Sequence, residues 1–317
     1  MLTIFCTAKP FVDAAGELQR NAFGSWSRLR PMPEILLMGD GPGYRETARQ
    51  YQIRHVADVA CNAAGVPLLS EMFTVAQRIS SRPFICYVDA DILLMDDLLA
   101  ALELVKTLKS PFLMTGASWE LDDSQRTKTD ISTHEYLCEA LKARAISPMR
   151  SRRYLYGLDY FVFRRGTLTK LPPFMNGGVG WDSPGWDNRM IHLARSRGFR
   201  VIDATSSVTA FHQKHEVTQG EMVASRGSTV PSEELFSLLD ATHVLEDGRI
   251  KSAVKIQYVW RRSYTFVMLT PGVRWVFPAV RALARLTRRA RVKHGITTTL
   301  LAKQALKDSQ TSKSDDV

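Results

Sequence analysis

The sequence predicts an α/β fold in which a largely parallel sheet carries helices on both faces. Three observations predict it. Hydrophobic periodicity alternates between strand-like and helix-like over about the first 210 residues. An apolar, β-branched run at 83–94 carries Asp89-Ala90-Asp91, two carboxylates where an open α/β sheet presents its ligand. A second strand closes in Gly39-Asp40-Gly41-Pro42-Gly43, a glycine-rich turn beyond its carboxyl end.

Residues 2–7 form a short apolar strand. From 13 to 29, Ala14, Leu18, Ala22, Trp26 and Leu29 recur at helical spacing, and Pro31 and Pro33 end the helix. Residues 34–38 are the second strand. Ser70 is placed to cap a helix whose inner face carries Met72, Phe73, Ala76 and Ile79. After the Asp89/Asp91 strand comes a helix with Asp96 and Asp97 in its first turn, where the dipole favours them, and with Leu98, Leu102, Val105 and Leu108 inward. Residues 111–115 read as a strand and 158–163 alternate like one. A Pro- and Gly-rich loop over 171–185 precedes a helix at 187–197, a strand at 199–202 and another at 208–211 that ends at His212. This order favours a parallel sheet whose carboxyl-end loops build one site. A loop so rich in glycine is either a disordered connection or an active-site flap.

Composition narrows the class. The chain has 317 residues and is 45% hydrophobic, enough for a real core. Cys6, Cys61, Cys86 and Cys138 are widely spaced without a C-x-x-C pair and read as buried thiols in a reducing compartment. The first residues lack a basic region followed by a long apolar one, and no apolar run nears the ~20 residues that span a bilayer. The expected location is therefore cytoplasmic. Net charge is +10, yet residues 249–307 hold fourteen Lys and Arg and no Asp or Glu. All of the excess positive charge lies there. The expected organisation is a catalytic domain at 1–248, a basic, helical extension at 249–307 and a disordered tail at 308–317.

If the strand continues, Asp89 and Asp91 point to the same side, and two anionic oxygens so placed repel unless a cation lies between them. Mg²⁺ and Mn²⁺ take such oxygen ligands and share them with substrate phosphates. The structural alternative is a strand end with Asp91 capping the next element.

Several ordered landmarks then point to a family. They are Ile4-Phe5-Cys6-Thr7-Ala8-Lys9-Pro10-Phe11, Asp40, Asp89-Ala90-Asp91, Gly157-Leu158-Asp159-Tyr160-Phe161-Val162-Phe163, Gly185-Trp186-Asp187-Asn188 and Phe211-His212-Gln213. In this order, over roughly residues 1–245, the chain resembles the metal-dependent, nucleotide-sugar-using glycosyltransferases of the GT-A type, especially those similar to family 2. The resemblance implies a Rossmann-like GT-A fold, a nucleoside-diphosphate sugar as donor, Mn²⁺ or Mg²⁺, and a glycan or lipid-linked acceptor. It implies that Thr7 lines the nucleotide pocket and that Asp40 accepts a hydrogen bond from the base. Asp89 would face the ribose or the metal, Asp91 would bind the metal, and His212 would complete its shell. Asp187 would be the catalytic base of inverting members.

Other roles stay open for these residues. Asp40 suits a turn, Asp187 is a good helix cap, and His212 has His215 nearby. Asp182 competes with Asp187, since both follow a tryptophan, and the stretch 175–184 is longer and richer in glycine than the resemblance leads one to expect. Other classes fit less well. A haloacid-dehalogenase phosphatase would place its Gly-Asp after the D-x-D rather than before it, and a Rossmann methyltransferase would carry a glycine-rich loop where Thr7-Ala8-Lys9-Pro10 stands. A non-catalytic glycan- or nucleotide-binding protein is the alternative without chemistry. Nucleic-acid binding rests on the basic segment alone, whose Tyr258, Trp260, Tyr264, Phe266, Trp275 and Phe277 equally suit an anionic membrane surface, here the inner face of the membrane.

Overall fold

The computed structural model describes residues 1–63, 65–121, 134–148, 158–172, 186–213 and 237–253. These lie within the compact unit Met1–Arg262; a second unit, Ser263–Val317, falls outside the described residues.

Twelve strands and six helices are described: β1 Leu2–Cys6, α1 Asp13–Arg28, β2 Glu34–Met38, α2 Tyr44–Gln50, β3 Arg54–Val56, α3 Leu69–Ile79, β4 Phe84–Val88, β5 Ile92–Leu94, α4 Asp97–Val105, β6 Phe112–Thr115, β7 Trp119–Leu121, α5 His134–Lys142, β8 Tyr160–Arg164, α6 Trp186–Ser196, β9 Arg200–Asp203, β10 Ala210–Gln213, β11 His243–Glu246 and β12 Arg249–Ser252. Nine strands form one sheet in the order β12-β11-β9-β6-β8-β4-β1-β2-β3. It is mostly parallel; β8 runs against β4 and β6, and β12 runs against β11.

Every residue of β1 and β4 is buried, because both faces of the central sheet are covered. One core joins Ile4, Cys6, Leu37 and Cys86 to Phe23 and Trp26 of α1 and to Leu98 and Leu102 of α4. The opposite core joins Phe5, Leu36 and Ile85 to Met72 and Phe73 of α3 and to Met190 and Ile191 of α6. Adjacent strand residues go to opposite cores, as the two-residue repeat requires. A small sheet, β5-β10-β7, stands beside the main one.

Several expectations need correction. The strand that carries the acids stops at Val88; Asp89–Asp91 is a turn closed by Ile92 N–H to Asp89 O at 3.1 Å, and β5 belongs to the small sheet. The two carboxylates therefore do not share one face of a continuing strand. Ser70 lies inside the first turn of α3, whose N-cap is Leu68. Asp97 accepts Thr209 N–H at 2.9 Å, so it ties α4 to the approach of β10 besides suiting the helix dipole. Cys61 is exposed, whereas Cys6 and Cys86 are buried. The charge-defined segment begins inside the sheet, since Arg249–Ser252 pair with β11. Its remainder, the loop at 173–185, Asp182 and His215 lie outside the described residues.

The loops after β1 and β2 meet at Gly43. Its φ is +80°, a Cβ there would stand 2.7 Å from Phe11 Cβ, and Phe11 N–H bonds Pro42 O at 2.9 Å. A left-handed residue other than glycine costs about 1–2 kcal/mol even without a clash. Gly43→Ala should therefore lower the free energy of unfolding by about 2 kcal/mol or more, read as a fall in the urea midpoint. An unchanged midpoint would show that the two loops are not in close contact.

Candidate functional site

The chain passes from β1 outward through β2 and β3 and then returns to β4 on the other side of β1. That reversal opens a crevice beyond the carboxyl ends of β1 and β4, the place where open α/β sheets bind ligands. Thr7 follows β1 and Asp89 follows β4, so the two flank it.

On the β1–β2 side, Tyr44 holds the loop after β1. Its hydroxyl donates to Ala8 O and accepts Ala8 N–H at 3.1 Å, with Thr7 Oγ1 at 3.5 Å. Lys9 N–H bonds Gln19 Oε1 at 2.6 Å, and Gln19 Nε2 returns a bond to Lys9 O at 3.0 Å, which fastens the same loop to α1. Asp40 is exposed, accepts Gly41 N–H at 3.0 Å, and has Arg45 at 4.0 Å and His55 at 3.8 Å. It presents a carboxylate at the rim beside Thr7.

On the β4 side, four carboxylates gather. Tyr87 donates its hydroxyl to Asp89 Oδ1 at 2.7 Å, and Asp89 N–H bonds Asp159 O at 3.0 Å. Ser118 donates to Asp159 Oδ2 at 2.6 Å. Burial, followed by the charges of Asp159 and Asp91 and then that of Asp187, holds the Asp89 carboxyl well above the usual range, against the bond from Tyr87. Asp89 and Asp187 keep a little accessible area yet lie deep among protein atoms, so loss of water dominates both.

Asp91 and His212 meet because β5 pairs with β10, which sets His212 opposite Ile92. His212 Nε2 lies 3.5 Å from Asp91 Oδ2, and both side chains are mostly buried. Gln213 locks the turn: its Nε2 donates to Asp91 O at 2.8 Å and to Leu18 O at 2.9 Å, while Asn21 Nδ2 donates to Gln213 Oε1 at 3.2 Å. Trp26 Nε1 donates to Ile92 O at 2.9 Å. Helix α1 thus holds the Asp91 turn directly through Trp26 and, by way of Gln213, through Asn21 and the Leu18 carbonyl. The oxygen and imidazole nitrogen of Asp91 and His212 fit two positions of a divalent ion's shell, and phosphate oxygens of a substrate suit the rest. Among the described residues, no three His, Cys, Asp or Glu side chains are grouped to hold a metal by themselves.

Asp187 sits in the first turn of α6 and accepts Asn188 Nδ2 at 3.0 Å. Burial pushes its carboxyl up to about 6; backbone bonds from Asn188 and Leu158 oppose the rise and the Asp159 charge adds to it. A carboxylate so poised is ionised at neutral pH yet more basic than an ordinary one, which suits a proton acceptor.

The structure brings Asp91 and Asp187 within electrostatic reach of Asp89 and pairs Asp91 with His212; Asp40 stands on the β1–β2 side, near Arg45 and His55. Sequence reasoning passed over Tyr44, Tyr87, Ser118, Asp159 and Gln213 as site residues. Asp159 had a signal, an acid at the mouth of a strand, but β8 is antiparallel and delivers its beginning rather than its end to the crevice.

No family model and no curated protein sequence matches the chain. Its fold is similar to those of solved nucleotide-sugar transferases. A mannosyltransferase from Pyrobaculum calidifontis, in complex with GDP-Man and Mn²⁺, is 13% identical with a TM-score of 0.47, over 94% of this chain and 80% of that one. A glucosyl-3-phosphoglycerate synthase from Mycobacterium tuberculosis, in complex with Mg²⁺ and uridine diphosphate, is 14% identical with a TM-score of 0.40, over 71% and 75%. For S. aureus TarS, in complex with UDP-GlcNAc, the values are 11% and 0.31, over 38% of this chain and only 35% of that one.

Proposed function

We propose that this chain is a glycosyltransferase that moves a sugar from a nucleoside-diphosphate sugar to an acceptor hydroxyl with divalent-metal assistance. The observation that carries the reading is one crevice at the switch between β1 and β4, with Thr7 on one wall, the Asp91–His212 pair on the other, and Asp187 within electrostatic reach of Asp89.

Thr7 lines the nucleoside side and Asp40 accepts a hydrogen bond from the base. Asp89, fixed by Tyr87, faces the ribose or the metal. Asp91 and His212 hold Mn²⁺ or Mg²⁺, which when bound offsets the charge that builds on the departing diphosphate. Asp187 takes the proton of the attacking hydroxyl. Asp182 keeps the alternative claim to that role.

The test is release of nucleoside diphosphate, and transfer of the sugar, across a panel of nucleotide sugars with Mn²⁺ and again with chelator. Thermal shift on the same panel separates binding from chemistry, since a ligand at 100 times its Kd adds about 2.7 kcal/mol of stability. Shifts without turnover of any sugar would favour the non-catalytic alternative. No shift and no turnover would end the reading.

The acceptor is a glycan or a lipid-linked molecule presented at an anionic membrane surface, and the fourteen cations of 249–307 dock the enzyme there from the cytoplasmic side. Each basic residue near such a surface is worth ~1 kcal/mol, weakened by salt. Among the described residues, no helix is long and apolar enough to cross a membrane. The full chain should sediment with phosphatidylserine vesicles at low salt and less at high salt. Replacing Arg281, Arg285, Arg288, Arg289, Arg291 and Lys293 with Gln should abolish most of this; equal partitioning, or tight binding to nucleic acid with none to vesicles, would refute membrane docking.

A further inference from the structure

A histidine packed against the β2–α2 turn has no function in anything above. His55 lies in β3 opposite Leu37, with its side chain mostly buried. Its Nε2 is 2.8 Å from Gly39 O and 3.8 Å from Asp40 Oδ1. A carbonyl oxygen only accepts, so Nε2 must carry the proton and donate. That N–H therefore bonds the peptide immediately before Asp40 and faces the carboxylate at the same time.

The surroundings leave this peptide little room. Gly39 has φ +98°, and a Cβ there would stand 2.8 Å from Pro67 Cγ and 3.5 Å from Thr7 Oγ1. Gly39 N–H is held by Val56 O at 3.0 Å, so β3 binds both the N–H and the carbonyl of Gly39. The His55 ring packs against Tyr44 at 5.8 Å between centroids, and the Tyr44 hydroxyl holds both polar groups of Ala8. Two touching rings thus brace the two loops that wall the nucleoside side of the crevice.

We propose that His55 is a positioning residue for nucleobase recognition: by holding Gly39 O beside Asp40 it fixes the carboxylate that receives a ring N–H of the base. The inference rests on the reading of Asp40 as the base contact. A carboxylate accepts from the N3–H of uracil or the N1–H of guanine, and the corresponding ring nitrogens of cytosine and adenine carry no hydrogen in their ordinary forms. The bases served are therefore those with a ring N–H. A site built to bond such a group discriminates strongly only if its acceptor is held in place.

The test is calorimetric binding of uridine diphosphate and guanosine diphosphate, with Mn²⁺, to the full chain. His55→Leu should weaken the better-bound nucleotide about tenfold. His55→Gln, whose amide nitrogen can take the place of Nε2, should stay within about threefold of wild type. Combined with Asp40→Asn, His55→Leu should cost nothing further, because the group it positions has gone. A purely structural histidine would instead give independent, additive losses, and additive losses overturn the inference. Wild-type affinity in His55→Leu, with Asp40→Asn weakened, also overturns the role of His55 and leaves Asp40 standing. Wild-type affinity in Asp40→Asn overturns the base assignment and this inference with it. Failure of wild type to bind either nucleotide counts against the donor class itself.

Discussion

Asp187→Asn is expected to bind a nucleotide sugar as wild type does while transferring it about 10²–10⁴-fold more slowly, the usual contribution of general acid–base catalysis. Asparagine keeps the shape in the first turn of α6, so the loss should appear in kcat rather than in donor affinity. The same substitution has a second, opposite effect. Asp187 holds its proton up to about pH 6 when folded, against an ordinary value of 3.8. Between those two pH values the folded chain binds more protons than the unfolded one, so stability falls as pH rises through that window. At neutral pH the ionised side chain costs the fold up to about 3 kcal/mol, a cost that asparagine lacks. Asp187→Asn should thus melt higher than wild type at pH 7.5, and the advantage should shrink as pH falls through 6 and vanish near 4. Transfer by wild type should rise with pH through about 6. An unaltered rate would exclude the base role, and a loss found with Asp182→Asn instead would transfer it there.

Asp91→Asn is expected to abolish Mn²⁺-dependent donor binding, with a loss of at least about 100-fold, since removing even an indirect partner of a metal site costs 10–100-fold. The substitution removes a hard anionic ligand and keeps its volume. His212→Ala should lose metal affinity as well, because its Nε2 stands 3.5 Å from Asp91 Oδ2. Asp89→Asn should weaken binding less, as Asp89 already receives the Tyr87 hydroxyl. Donor titrations with and without Mn²⁺ read all three. If Asp91→Asn and Asp89→Asn bind and turn over donor like wild type, the acidic turn is structural.

The central strands were readable because burial on both sheet faces makes them continuous apolar runs, as in Leu2–Cys6 and Phe84–Val88. Helix α1 was readable because one face is strongly apolar over sixteen residues. Helix α2 was not: seven residues, Tyr44–Gln50, are too short to display a period, and β3 is a three-residue edge strand. Within the site, acids that follow a strand or open a helix announced themselves. Tyr87 did not, because an aromatic in an apolar strand reads as core, although its hydroxyl meets Asp89. The approach of His212 to Asp91 depends on pairing between β5 and β10, two strands of three and four residues joined across more than a hundred positions of chain, and no local pattern encodes that. Gln213 looked like a polar strand end, and only the position of α1 gives it a purpose.

The hairpin of β11 and β12 bears on how the protein can be shortened. Val244 and Leu245 of β11 are buried, while Arg249 and Lys251 occupy exposed positions on the outermost strand. A basic outer strand discourages pairing with other molecules, whereas a bare one invites it. Trimming the chain at Gly248 to remove its positive charge would also strip this guard and leave the hydrogen-bonding groups of β11 open to a second copy. Such a product would self-associate through its sheet, and its altered behaviour towards vesicles would report aggregation instead of lost attraction. The last residue of the sheet's outer strand, Ser252, therefore sets the practical limit for any truncation of the carboxyl end.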